Sequence, residues 1–168
     1  MEDIARAAGV TKSVVYDHFD SKGALHAEVV TRASDELVAT VAAAVGASGD
    51  PESRFRAGLL TSFQVIEQRA DVRTLLLGEP GADVRVAKAS MKAQRKARAA
   101  MAALYLSEPS FLARHPHRQA RAEHIAQGGI GTINALATLG VDEGLSPEQL
   151  TDLAMDLLYP GIEAMSSP

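Results

Sequence analysis

Four groups of residues in this chain have types and spacings that could do chemistry. His115, His117 and His124 could ligate a metal, since imidazole nitrogens bind zinc and related ions. Pro116 between the first two, and the lack of a nearby carboxylate cluster in metal spacing, make the stretch a surface loop, and no metal or other cofactor is expected. Gly128, Gly129 and Gly131 could begin a phosphate-binding loop. No Gly-Lys-Ser/Thr follows them and no strand precedes, so they read as a place of close helix packing or local helix distortion. Arg85, Lys88, Lys92, Arg95, Lys96 and Arg98 fall in a stretch without acids. Arg85, Lys88, Lys92 and Arg95 or Lys96 share one helical face, which could grip a polyanion and reads first as a solvated surface. No nucleophile and base share a motif, so no catalytic residue is assigned and the chain is not read as an enzyme.

The fourth group lies in residues 1–25. Ala5 is followed after three residues by Gly9 and after five more by Val15, a spacing that suits two short helices crossing through a tight turn. Ala5 is small enough to let the second helix approach. Gly9 can take the positive φ of the turn, and Val15 packs back beside Ile4 and Val10. Tyr16 and His18 fall on the same exposed side as Lys12.

The elements that position these residues are helices throughout. Apolar residues recur at spacings of three and four, the chain is rich in Ala, Leu, Arg and Glu, and aromatics make up 4%. Helices are expected over residues 2–8 and, with Thr11 as cap, over 12–18. A long helix opens at Ser21, carries Leu25, Val29, Ala33, Leu37, Val41 and Val45 in steps of four, and ends near 46–49 after roughly 36 Å. Asp50-Pro51 starts a helix with Phe55, Leu59, Phe63 and Ile66 on one face. Short and long helices follow over 71–77, stopped by Gly78, and over 82–106, separated by Pro80-Gly81. A loop holds Pro109 and Pro116, a further helix spans 117–139 and closes at Gly140, and Ser146-Pro147-Glu148-Gln149 is a capping box. That box opens a last helix in which Leu150, Leu153, Leu157, Gly161 and Met165 fall together and Pro160 introduces a kink.

With 168 residues, one substantial core with a small head is expected. The formal net charge of −4 excludes a protein coated in basic residues, so any contact with nucleic acid must be local. No apolar run approaches the roughly 20 residues of a membrane span, and no membrane partner is expected. The acidic Met1-Glu2-Asp3-Ile4-Ala5 start is unlike a secretion signal, and the absence of cysteine excludes disulfides; the expected location is cytoplasmic.

The run Gly9-Val10-Thr11-Lys12-Ser13-Val14-Val15-Tyr16-Asp17-His18-Phe19-Asp20-Ser21-Lys22-Gly23-Ala24-Leu25 resembles the recognition-helix signature of the TetR family of bacterial regulators, most specifically in Tyr-x-His-Phe-x-Ser-Lys. The resemblance implies an all-α fold: a helix-turn-helix head, here residues 1–26, and a ligand-binding and dimerisation body, here 27–168. It implies that Thr11 contacts phosphate, that Lys12 and Ser13 read base edges, that Tyr16 and His18 grip phosphates, and that Lys22 does so from the next helix, with Phe19 in the core. Asp17 departs from the family pattern; an acid near phosphates is repulsive unless it accepts from a cytosine amino group. The family also places a helix ahead of Met1, covering Ile4, Val10, Val15 and Phe19. That helix is absent from this chain, and the expectation is that a segment precedes Met1.

For the body, the resemblance implies a homodimer, a double-stranded DNA operator and a small-molecule effector of unknown identity. Candidates for the effector pocket are Phe55, Phe63, Ile66, Met91, Met101, Tyr105 and Phe111, all of them equally suited to core. Leu136, Leu139, Leu150, Leu153, Leu157 and Ile162 are candidates for a dimer seam or for intrachain core. The function expected is a ligand-responsive repressor released from a palindromic operator; the alternative is a dimeric small-molecule-binding protein or scaffold that has lost DNA binding.

Overall fold

The computed structural model describes residues 1–69, 72–73 and 83–166. They form an all-helical structure: α1 (Glu2–Ala7), α2 (Lys12–His18), α3 (Lys22–Gly46), α4 (Pro51–Gln68), α5 (Val84–Leu106), α6 (Arg118–Glu143) and α7 (Pro147–Ser166). The short helix expected over 71–77 and the breaks at Gly78 and Pro80-Gly81 lie outside the described residues, apart from Val72 and Arg73.

Local chemistry starts these helices where side chains can satisfy free N–H groups. Asp50 accepts from the Ser53 amide at 2.9 Å ahead of Pro51, and Asp83 accepts from the Arg85 amide at 2.8 Å. At α7 the capping box closes in both directions: the Gln149 amide donates to the Ser146 hydroxyl at 3.3 Å, and the Ser146 amide donates to the Gln149 side chain at 2.9 Å. The helix then runs through Pro160 to Ser166.

α6 corrects the expected stop at Gly140. The helix continues to Glu143 and ends at Gly144, whose φ of 68° supplies the left-handed cap. Gly140 is buried, and a Cβ there would come within 2.6 Å of Leu150 Cδ1. Its glycine lets α7 approach α6. Similarly, a Cβ on Gly129 would meet the Tyr105 hydroxyl at 3.2 Å and Met101 Sδ at 3.4 Å, where α6 crosses α5.

α3 packs against α5 and α4, α4 against α7, and α6 against both α5 and α7. Leu59, Phe63 and Ile66 of α4 meet Ala33, Ile133, Leu150 and Met155 in the main core. At about 1.5–3 kcal/mol for each large apolar side chain buried, this cluster dominates the stabilisation. Along α3 the buried residues are Val30, Ala33, Ser34 and Val45, while Val29 is 42% exposed. A step of four residues precesses by about 40° around a helix of 3.6 residues per turn, so a row of fours cannot face one core for six turns. In α7 the buried row is Leu150, Thr151, Ala154 and Met155; Leu153 and Leu157 stand 40% and 64% exposed.

The loop between α5 and α6 is held by one side chain. Arg118 donates to the carbonyls of Phe111 at 2.7 Å, Glu108 at 2.8 Å and Leu106 at 3.2 Å. The Leu112 amide in turn donates to the Met165 carbonyl at 2.9 Å, which fastens the loop to α7. Charge-assisted bonds to part-buried carbonyls are worth more than neutral ones. Arg118→Met, which keeps the apolar stem but strands these acceptors, is expected to cost about 2 kcal/mol in urea unfolding with an unchanged m-value.

Candidate nucleic-acid interface and ligand cavity

α1 and α2 cross over Ala5 and Val15, which are 3% and 6% exposed. Gly9 adopts φ 68° in the turn, and the Val10 amide closes it on the Ala5 carbonyl at 3.0 Å. Thr11 caps α2 by accepting from the Val14 amide at 3.4 Å, which leaves the hydroxyl proton free to be donated elsewhere. Lys12 Nζ lies 5.9 Å from the centroid of the Tyr16 ring, one helical turn on. The structure thus brings Thr11, Lys12, Ser13, Tyr16 and His18 onto one seven-residue helix and its cap, all exposed, with exposed Lys22 opening α3. They form a surface of hydroxyls and cations, interrupted by the exposed carboxylate of Asp17. On the apolar side of the head, Val15 is buried and Phe19 half-buried, whereas Ile4, Val10 and Val14 are 37–41% exposed.

Ser21 and Gly23 join this head to the body through contacts that the sequence did not show. Ser21 caps α3, accepting from the Ala24 amide at 3.0 Å, and its hydroxyl oxygen also accepts from the Arg85 guanidinium at the start of α5. A Cβ on Gly23 would collide with the Asp83 carboxylate, so a glycine in the first turn of α3 is what lets α5 begin there. Neither contact has a local signal, because the partners lie 60 and 64 positions apart in the sequence. Lys96, from the same basic run as Arg85, pairs with Asp35 of α3 at 2.6 Å.

The far end of α5 lines a cavity of about 390 Å³ between α3, α4, α5 and α7. Of the seven pocket candidates, Phe55, Met101, Tyr105 and Phe111 line it. Phe63 and Ile66 are 2–3% exposed members of the main core and touch a second cavity of about 410 Å³ near the α6–α7 turn. Met91 is 59% exposed and lines neither, because it falls on the outer face of α5. The sequence reading missed Arg54, Leu59 and Tyr159, which also line the first cavity. Arg54 had a faint signal as a cation beside Phe55 on the first turns of an otherwise apolar-faced helix. Burial pushes the Tyr105 phenol well above its ordinary range; burial and then the charges of Glu52, Glu163 and Asp50 raise Tyr159. Both phenols therefore keep their protons at neutral pH and can donate.

A small two-helix head, running through a continuous α3 into a helical body with an apolar cavity, defines a helix-turn-helix protein with a candidate ligand site. Residues 1–29 match the family described as bacterial regulatory proteins, tetR family. A 67-residue stretch is 42% identical to the HTH-type transcriptional activator FasR of Mycolicibacterium smegmatis, covering 40% of this chain and 31% of that protein. The N-terminal region is thus similar to the TetR family of regulators, and the matched stretch spans about a third of that relative's length. No helix among the described residues is long and apolar enough to cross a membrane.

Removing the shared hydroxyl tests the junction between head and body. Ser21→Ala is expected to cost about 1 kcal/mol in chemical denaturation, as for other lost N-caps, and to speed exchange of the Ala24 amide.

Proposed function

We propose that this chain is a ligand-responsive DNA-binding regulator of transcription, with residues 1–26 as the DNA-reading head and 27–168 as the sensing and dimerising body. The single observation that carries the reading is the exposed set Thr11, Lys12, Ser13, Tyr16, His18 and Lys22 on α2 and the start of α3, within the segment that matches the family. In this reading α2 enters the major groove, Lys12 and Ser13 meet base edges, and Thr11, Tyr16, His18 and Lys22 hold phosphates.

The body acts as a homodimer on a palindromic operator, with recognition helices roughly 34–36 Å apart or a multiple of a turn. Exposed Leu153 and Leu157, four residues apart on α7, supply an apolar face for the second copy; Leu136, Leu150 and Ile162 are instead spent on intrachain packing and Leu139 is half-buried. Effector binding in the α3–α4–α5–α7 cavity reaches the head along α5, whose last turns line the cavity and whose first turn touches Ser21 and Gly23. A ligand that binds the non-DNA-binding conformation more tightly releases the operator. Release relieves repression where the operator overlaps a promoter; the relative is named as an activator. Such a regulator works in the cytoplasm, where the DNA is.

The deciding measurement is duplex affinity against salt and sequence. Lys22→Ala is expected to weaken all duplexes alike and make the logarithmic salt slope shallower by about 1. Tyr16→Phe should also weaken binding uniformly, whereas Lys12→Ala should cost about 1–3 kcal/mol on the preferred operator and relax discrimination. Equal discrimination in wild type and Lys12→Ala would remove that residue from base reading. Absence of duplex binding at low salt would leave the DNA-free ligand-binding protein as the reading. In sedimentation, Leu157→Glu is expected to convert dimer to monomer without loss of helicity.

A further inference from the structure

Four aromatic rings follow one another along the first cavity. The Tyr159 and Phe55 centroids are 5.8 Å apart, Phe55 and Tyr105 6.2 Å, and Tyr105 and Phe111 5.3 Å, all in tilted arrangements. Rings so disposed present faces and edges to whatever lies between them, and a flat aromatic body meets them with favourable stacked or edge-on geometry.

Arg54 lines the same cavity from the start of α4. Its Nε is shut off from solvent and has no hydrogen-bond partner among the described residues. Two other arginines of the body have partners: Arg56 meets Asp152 at 2.7 Å, and Arg118 serves three carbonyls. Arg54 as a whole is half-buried, but a donor atom shut off from solvent and left unmatched is costly, and nearly all such donors in folded proteins have a partner. The fitting partner is an anionic oxygen, since a guanidinium presents its N–H groups in a fork that matches a carboxylate. Two acids, Glu108 and Glu163, also border the cavity. Glu108 accepts the Ser110 hydroxyl at 3.2 Å, and Glu163 is exposed, where charge is screened.

We propose that this cavity takes a ring-bearing carboxylate, its flat apolar body among Phe55, Tyr105, Phe111 and Tyr159 and its carboxylate on Arg54. The assignment rests on the effector role given to the cavity above and names the chemical class of the effector. A volume of about 390 Å³ falls within the range of small-molecule sites, roughly 300–1,000 Å³. Protonated Tyr105 offers a further hydroxyl donor close to Gly129.

The test compares three probes with one ring system and different heads: naphthoate, neutral naphthylmethanol and cationic naphthylmethylammonium. Their own fluorescence reports binding, because the chain contains no tryptophan. Naphthoate is expected to bind at least about tenfold tighter than naphthylmethanol, or about 1.4 kcal/mol. Arg54→Met keeps the apolar stem and should erase that difference while leaving naphthylmethanol affinity unchanged; Arg54→Gln gives the same readout should the methionine variant fold poorly. Equal binding of the three probes, tightest binding of naphthylmethylammonium through Glu108 and Glu163, or no binding to the folded wild-type chain would each overturn the assignment. The assay contains no DNA, so it separates the two readings. Arg54-dependent naphthoate binding in a chain that ignores duplex DNA keeps the cavity and sinks the regulator, and duplex binding without a carboxylate preference does the reverse.

Discussion

The structure depends on α3 being one uninterrupted helix. The two helices ahead of it bury little more than Ala5 and Val15, far too little apolar surface to hold a head together. Their orientation is inherited from α3, which begins at a serine cap beside them and ends 25 residues later against the body. A helix transmits a tilt at one end to the other because its backbone hydrogen bonds resist bending. The residues that hold α3 in place are small: Ala33 and Ser34 are buried where α4 and α5 press closest, and Gly23 admits Asp83. Larger side chains at those positions would push the helices apart.

α5 is the second long element that spans the distance between head and cavity. Arg85 at its start meets Ser21, and Met101, Leu104 and Tyr105 near its end form the cavity wall. Between them, Lys96 pairs with Asp35 and most of the helix lies along α3. The exposed pair contributes little to stability, about 0–1 kcal/mol, and ties the two helices together at that point. Aromatic rings and Arg54 line the cavity, and the loop that follows α5, held by the three bonds of Arg118, borders it.

Helix starts were readable residue by residue. Thr11, Ser21, Asp50 and Ser146 cap the helices that follow them, since a short polar side chain reaches its own backbone whatever the tertiary context. Helix ends and helix faces were less so. Gly140 looked like a stop and is a packing position, while Gly144, four residues on, takes the positive φ. Leu153 and Leu157 fit an apolar row as well as Met155 and Ala154 do, and only the direction from which α4 approaches decides which row is covered.

Composition, caps and the run from Gly9 to Leu25 were enough to establish an all-helical chain with a helix-turn-helix head and to place exposed polar residues along its second helix. Those features are local: each depends on residues within one or two turns, where the backbone geometry is known in advance. The cavity was not of that kind. Phe55, Phe63, Met91 and Met101 are equivalent as apolar letters, yet Phe55 and Met101 line the first cavity, Phe63 is fully buried in the main core and Met91 faces solvent. Arg54 and Ser21 likewise acquire their roles from helices distant in sequence. Burial and partnership are properties of how helices cross, and crossing is set by the sum of many weak contacts between distant residues, so tertiary structure alone decided them.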